Sequence, residues 1–439
     1  MTTPRLVADQ LFRAAVRGAD PYAATLAALK GQSLGARTWV VAVGKGAIPM
    51  ARAALDALGA GQRSAQGGIV ITSESPTQLG PLTILTGDHP VPGDGSLAAA
   101  QGLADVVSLV RPGDDVLILV SGGASSLMAA PVEGVSFAAM LALFQGLHRA
   151  GTPIDVMNAF RKRVMRWGAG RLAMALTTAR VTCLIASDVI GDDPASIASG
   201  PCTGDRWRAG DLVALAQSHN LWPHVPDEVR RLLDAILSGD VAETPKPGTE
   251  ALAHVQSRVI LGNRDALEGI AGAGAELEIA VRIAPTPVTG RARSTGEAIA
   301  HAAVTARGRE VNHPQTAPCR LALVWGGETT VSLAGGSHGT GGRAQELALA
   351  AARTLHEAGA RGRGITILSA GTDGRDGPTD AAGAIIDATT WSRIALAGVD
   401  PQRALDAHDA YPALDAVGAL LRTGMTGTNV NDVVIALVD

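Results

Sequence analysis

Apolar and polar positions follow two rhythms along this chain: short, almost wholly apolar runs, and longer alanine-rich stretches with helical spacing. The runs Trp39–Val43, Gly68–Thr72, Asp115–Val120 and Val181–Ala186 hold few polar residues. Strands apolar on both faces belong to a parallel sheet covered by helices on each side. Between them, Pro49–Leu58 and Ser96–Val110 are spaced as helices, with Ser96 as a hydroxyl N-cap. This alternation predicts βαβ units and an α/β fold, a doubly wound, Rossmann-like sheet over residues 1–240. Gly239–Gly248 interrupts the rhythm with two prolines and reads as a linker. Beyond it, runs at Ser257–Leu261, Glu278–Ile283, Leu321–Trp325, Ile365–Ser369 and Val433–Val438 predict a second, smaller α/β domain over 241–439. Its final strand is free, on pattern alone, to return to the first domain. A further short strand is expected from Thr329.

Composition narrows the classes of function. With 439 residues, 46% of them apolar, the chain can bury two substantial cores. A net charge of −4 and only 3% aromatic residues argue against a general nucleic-acid binder. The three cysteines, Cys183, Cys202 and Cys319, form no CxxC pair. Neither a disulfide framework nor a zinc signature is present, which fits a reducing compartment. No apolar run approaches the roughly 20 residues a membrane span needs. The expectation is a soluble cytoplasmic protein with no membrane or nucleic-acid partner.

The chemistry gathers in loops at strand ends. Most informative is Gly335–Glu346, a glycine-rich loop that carries Gly341, Gly342 and Arg343 and runs into a helix. Open backbone N–H groups at a helix N-terminus bind anions, and a guanidinium can grip a phosphate or carboxylate with two prongs. Gly44-Lys45-Gly46 follows the first strand, and glycines on both sides let a ligand approach the backbone beside the lysine. It is not a Walker A loop, because GxxxxGK[ST] is absent. Ser121, Gly122, Gly123 and Ser125 form another anion-binding candidate after the strand at 115–120. Asp188, Asp192 and Asp193 follow the strand at 181–186, and Asp373, Asp376 and Asp380 follow the strand at 365–369. Such carboxylates can hold Mg²⁺ beside substrate phosphates or take a hydroxyl proton, although Asp and Gly also dominate ordinary turns. Structural hydrogen bonds are the expected roles of His89 and His338. Gly272-Ala-Gly274 lacks the third glycine of a dinucleotide fingerprint and reads as a helix terminus.

Taken in order, Val43-Gly-Lys-Gly46, His89-Pro-Val-Pro92, Val120-Ser-Gly-Gly-Ala-Ser-Ser126, Ser187-Asp-Val-Ile-Gly-Asp-Asp193, Ile197-Ala-Ser-Gly-Pro201, Gly326-Gly-Glu-Thr-Thr330, Gly341-Gly-Arg343, Ser369-Ala-Gly-Thr-Asp-Gly374 and Gly427-Thr-Asn-Val-Asn-Asp432 resemble the glycerate 2-kinase family with a C-terminal MOFRL domain. The resemblance covers nearly the whole chain. It implies two α/β domains around a cleft and transfer of the ATP γ-phosphate to the 2-hydroxyl of D-glycerate or a related 2-hydroxy acid. It implies Lys45 and Arg343 as catalytic residues; on the residues themselves, one of Asp188, Asp192 or Asp373 orients Mg²⁺ or takes the hydroxyl proton, and Asp188 is assigned to catalysis. Gly44, Gly46, Ser121, Gly122, Gly123, Ser125, Gly326, Glu328, Gly341 and Gly342 would hold the nucleotide, and Asp192 and Asp373 the Mg²⁺. The oligomeric state stays open, with a homodimer among the options. The chain departs from the family's pattern at Met165, Gly168, Arg291 and Ala344. Two alternatives accompany this reading: an NAD(P)H-dependent hydroxypyruvate reductase, and a non-catalytic ligand sensor on the same fold.

Overall fold

The computed structural model describes residues 3–74, 78–312, 320–333 and 338–439. Pro21–Ile260 form one unit; residues 1–20 and 261–439 form the other. In chain order the elements are α1 Pro4–Gly18, α2 Pro21–Leu29, β1 Thr38–Val43, α3 Ala47–Ala60, β2 Ala65–Thr72, β3 Thr83–Thr86, α4 Asp94–Leu109, β4 Asp115–Val120, α5 Ala124–Leu127, α6 Phe137–Arg149, α7 Ile154–Val164, α8 Arg171–Met174, β5 Arg180–Ala186, α9 Ala209–Ser218, α10 Asp227–Ser238 and β6 Val255–Leu261. There follow α11 Asn263–Glu276, β7 Ala280–Ile283, α12 Ala292–Asn312, β8 Leu321–Gly327, α13 Arg343–Glu357, β9 Ile365–Gly371, β10 Gly383–Asp387, α14 Thr390–Leu396, α15 Pro401–Asp406, α16 Ala410–Asp415, β11 Leu420–Leu421 and β12 Asp432–Val438.

The sheet of unit 21–260 has the order β3-β2-β1-β4-β5-β6. Pairing from β3 through β5 is parallel. Every residue of β1 and β4 is buried, as the unbroken apolar runs require. The chain steps outward from β1 to β2 and β3, then jumps back to β4 on the other side. That reversal leaves a crevice beyond the carboxyl ends of β1 and β4, where ligands bind in open α/β sheets.

The other unit holds a mixed sheet in the order β11-β10-β9-β12-β8-β7. Only the β7–β8 pair is parallel; β12 runs antiparallel to both β8 and β9. Its core packs α12 and α13 through Ala300, Ala303, Leu347, Ala351 and Leu355 against Ile365, Ile367 and Val434.

Four organisational expectations change. The run at 257–261 is β6 of the first sheet, so the crossing falls at 260/261 rather than near 240. The proline-bearing segment 239–248 is not a free linker: Glu243 pairs with the fully buried Arg163, and Asp205 N–H donates to the Pro245 carbonyl at 2.8 Å. The N-terminal helix α1 packs on α11 and belongs with the C-terminal residues. The last strand stays in that unit, between β9 and β8. At 329, in place of a strand, there is one bridge between Arg291 and Thr330.

Candidate active site

In unit 21–260 the loops after β1 and β4 lock together. Gly44 has φ +127°, and a Cβ there would stand 2.2 Å from Ser121 Oγ, so only glycine fits. Lys45 N–H donates to the Gly122 carbonyl at 2.9 Å, and Gly46 N–H donates to the buried Ser121 Oγ at 2.9 Å. Ser121 thus supports the loop instead of facing a ligand. The amides of Gly122, Gly123, Ala124 and Ser125 find no acceptor among the described residues. Four adjacent unsatisfied N–H groups at the switch point form a cradle for an anion. Ser125 Oγ lies 2.8 Å from Ser199 Oγ.

Asp188 sits at the end of β5, half-buried. Burial pushes its carboxyl above the usual carboxylate range, while a hydrogen bond from its own amide and the charge of Lys45 pull it back. A more basic carboxylate within the field of a lysine suits proton acceptance. Farther along, Asp192 is exposed at φ +52°, and Asp193 accepts from Ala195 N–H at 3.1 Å and Ser196 Oγ at 2.8 Å. Ala198 and Ser199 also have positive φ, +52° and +63°. Non-glycine residues in that region store strain and gather at functional sites. Sequence offered no sign of this, because alanine and serine do not mark left-handed backbone.

The other unit carries Arg343. Its Nε and Nη2 grip Asp432 with two prongs, at 2.6 and 2.9 Å, and its Nη1 meets Glu328 at 2.6 Å. Asp432 opens β12, opposite Gly327 of β8 and Gly371 of β9, so three strand ends converge there. Burial alone would weaken the guanidinium's hold on its proton, but Asp432, Glu328 and Asp376 outweigh it and keep Arg343 charged. Gly326 is required by Asn263: a Cβ would stand 1.6 Å from Asn263 Oδ1. Asn263 Nδ2 donates to the Val430 and Asp432 carbonyls at 2.6 and 3.1 Å. Neither Asp432 nor Asn263 was singled out as a site residue, since each acts through tertiary contacts.

The anion cradle expected at the start of α13 is already filled. The buried Asp376 carboxylate accepts the Ala344 and Gln345 N–H groups at 3.1 and 2.8 Å. Gly342 makes room for it, since a Cβ there would stand 2.1 Å from Asp376 Oδ1. Burial, with Asp432 adding to it, pushes Asp376 up to about 7 against the pull of those two amides. Gly341 passes close to Ala410. Gly335 lies outside the described residues. His338 Nδ1 lies 3.1 Å from the Gly339 carbonyl, a local contact.

Asp373 Oδ1 accepts from Arg375 N–H at 3.0 Å, the turn chemistry that Asp-Gly pairs favour. Among the described residues no three His, Cys, Asp or Glu side chains cluster as a metal cage. Mg²⁺ needs no such cage, because one or two carboxylates and the substrate's phosphates suffice. Gly272 and Gly274 lie inside α11 and form no dinucleotide loop. Of the departing positions, Met165 and Ala344 are 1% exposed and Gly168 is buried, with space for a Cβ only 3.2 Å from the Lys162 carbonyl; Arg291 alone is exposed.

The matches to known proteins agree with this frame. Residues 7–234 match a family described as a domain of unknown function, DUF4147, and residues 321–432 match the MOFRL family. The chain is 35% identical to a glycerate 2-kinase of Pyrococcus horikoshii, over 99% of this chain and 97% of that one. It is 37% identical to a putative hydroxypyruvate reductase of Agrobacterium vitis, over 98% of this chain and 93% of that one. The crystal structure of glycerate kinase from Thermotoga maritima superposes with a TM-score of 0.83 at 34% identity, covering 99% of each chain. Fold and relatives define a two-unit α/β phosphotransferase acting on an alcohol group. The chain belongs to the glycerate kinase family. Among the described residues no helix is long and apolar enough to cross a membrane.

Proposed function

We propose that this enzyme transfers the γ-phosphoryl group of ATP to the 2-hydroxyl of D-glycerate, giving 2-phosphoglycerate, or to the hydroxyl of a related 2-hydroxy acid. The observation that carries the reading is the cradle of open amides at Gly122–Ser125, locked to the Lys45 loop at the sheet's switch point. Phosphoryl transfer asks for positioning and charge neutralisation more than for covalent chemistry. The cradle receives phosphate oxygens, and Lys45 neutralises charge on the transferring group. Arg343, held charged by Asp432, is assigned the same task. Asp188 takes the hydroxyl proton as the substrate oxygen bonds to the γ-phosphorus and the bond to the bridging oxygen breaks, releasing ADP. Mg²⁺ arriving with the nucleotide would neutralise its phosphates, and Asp192 and Asp373 are the carboxylates assigned to it.

A coupled ADP-release assay over D-glycerate, L-glycerate and larger 2-hydroxy acids tests the reading. ADP release that depends on D-glycerate or a close analogue is expected; none with any acid refutes it. The name of the Agrobacterium relative favours one competing reading, reduction of hydroxypyruvate. That reading requires loss of NAD(P)H absorbance on adding hydroxypyruvate without ATP.

A further inference from the structure

We propose that Arg161, with Asn158 beside it, binds the carboxylate of the hydroxy acid. The inference deepens the kinase reading and rests on it for the identity of that acid. Arg161 lies on α7, in unit 21–260, and is half-buried. Among the described residues it makes no ion pair and no hydrogen bond, and its Nε is shut away from solvent without an acceptor. What holds the side chain is Phe144 of α6, whose ring centroid lies 5.1 Å from Arg161 Cζ. That contact steadies the cation and uses none of its N–H donors.

A charge in such a place is unfavourable unless an anion or carbonyl oxygens compensate it. Burial weakens the hold of the Arg161 guanidinium on its proton, and no neighbouring charge opposes the effect. Burial acts on Arg5 and Arg171 in the same direction, and both are compensated. Arg5 donates to the Ile385 and Leu420 carbonyls at 3.1 and 3.2 Å. Arg171 donates to the Lys162, Arg163 and Met165 carbonyls at 3.0, 2.9 and 3.2 Å. Arg161 has no such acceptor among the described residues. A guanidinium does not shed its proton, so an anionic ligand supplies the compensation.

The place of the residue selects the acid. Asn158 stands one turn before Arg161 on the same face of α7, and its amide makes no hydrogen bond among the described residues. Met165, one turn after Arg161, ends the helix. Its Sδ accepts from Ser199 Oγ at 3.5 Å, and Ser199 Oγ lies 2.8 Å from Ser125 Oγ. Lys162 Nζ donates to the Ala195 carbonyl at 2.8 Å and ties α7 to the same loop after β5. The face that carries the spare donors thus runs toward the loops at the ends of β4 and β5. A 2-hydroxy acid presents a carboxylate for the two prongs of a guanidinium and, on the next carbon, a hydroxyl for an amide.

Calorimetric titration of the full chain with D-glycerate and with ATP tests this in the wild type, Arg161→Met and Arg161→Lys. Arg161→Met should weaken D-glycerate by about 10- to 100-fold, the worth of a hydrogen bond to a charged group, and leave ATP unchanged. It should also melt at or above the wild-type temperature, because an apolar chain of similar length replaces an uncompensated cation. Arg161→Lys keeps the charge without the fork and should recover part of the loss. Unchanged D-glycerate affinity in Arg161→Met overturns the proposal. So does an equal loss for ATP, which would assign the residue to the nucleotide. A large fall in melting temperature would make the role structural and also overturn it. If no hydroxy acid elicits ADP release but D-glycerate binding still depends on Arg161, the kinase reading falls and this one stands. ADP release with an unchanged KM for the acid in Arg161→Met gives the reverse.

Discussion

Replacing Gly44 by alanine tests the architecture of the β1–β4 crevice directly. A Cβ there would stand 2.2 Å from Ser121 Oγ, 2.5 Å from the Ser121 carbonyl oxygen and 2.7 Å from its carbonyl carbon. Two of those atoms are backbone, and Ser121 N–H is tied to the Val43 carbonyl at 2.9 Å, so the strand ends must part. The backbone at φ +127° adds its own penalty, about 1–3 kcal/mol for a non-glycine residue. Forcing a methyl into a packed site costs about 1–3 kcal/mol more. Gly113→Ala is the control: its φ is +82°, but nothing lies within 4 Å of its Cβ position. It should show only the conformational part, about 1–2 kcal/mol. Urea unfolding of both variants separates the two contributions. Moving Ser121 also removes the acceptor of Gly46 N–H, so Gly44→Ala should lose at least about tenfold in kcat/KM for ATP while Gly113→Ala keeps wild-type activity. Equal unfolding midpoints for the two variants, or wild-type ATP kinetics in Gly44→Ala, would refute the reasoning.

Other consequences are as accessible. Lys45→Ala and Arg343→Ala should each lower turnover roughly 10²–10³-fold, and near-normal turnover in both would sink the assignment. Arg343→Ala should also destabilise the fold by about 3–5 kcal/mol in urea unfolding, because it strands a buried carboxylate. The carboxylate in question, Asp432, has a side chain only 7% exposed. Asp188→Asn should cut kcat by about 10²–10⁴-fold without changing ATP affinity, and an equal rise in the ATP dissociation constant would argue against proton acceptance. Asp376, pushed up to about 7, keeps its proton in the folded state up to about pH 7, whereas the unfolded chain ionises near 4. Its contribution to stability therefore falls as pH rises from about 4 to about 7 and levels off above, on the order of 4 kcal/mol in total at about 1.4 kcal/mol per unit. Asp376→Asn should flatten that limb when urea unfolding is followed across the range; a parallel pH profile in the variant would contradict it.

How much of this was legible in the sequence depended on the range of the interaction. The buried strands β1, β4 and β5 were readable because both faces of each are apolar, and an unbroken apolar run has few other homes. The crevice loops followed, since a glycine-flanked lysine and a Ser-Gly-Gly turn sit directly on the ends of those strands. Segment 239–248 misled for a related reason. Prolines and glycines mark chain direction, whereas the contact that fixes this stretch is Arg163, about 80 residues earlier and wholly buried. Short strands such as β3 and β11 were missed because four residues and two residues carry no period.

The glycine-rich approach to Arg343 shows the same limit in sharper form. Local sequence identifies the start of a helix and the amides it leaves open, but not which acceptor fills them. Here the acceptor is Asp376, some thirty residues downstream in a loop that reads as turn chemistry. With that carboxylate on the α13 amides and Asp432 on the Nε edge of Arg343, the guanidinium keeps one face, Nη1, shared with the partly exposed Glu328. An incoming anion would meet Arg343 at that face, by displacing or joining Glu328, and not at the helix terminus. The useful part of this loop is therefore the orientation that Asp432 imposes on Arg343. Glycine is needed at 342 for an internal carboxylate rather than for a ligand. In the β1–β4 crevice the relation is reversed: Gly44 and Ser121 are used up internally, and the amides of Gly122–Ser125 meet no acceptor among the described residues.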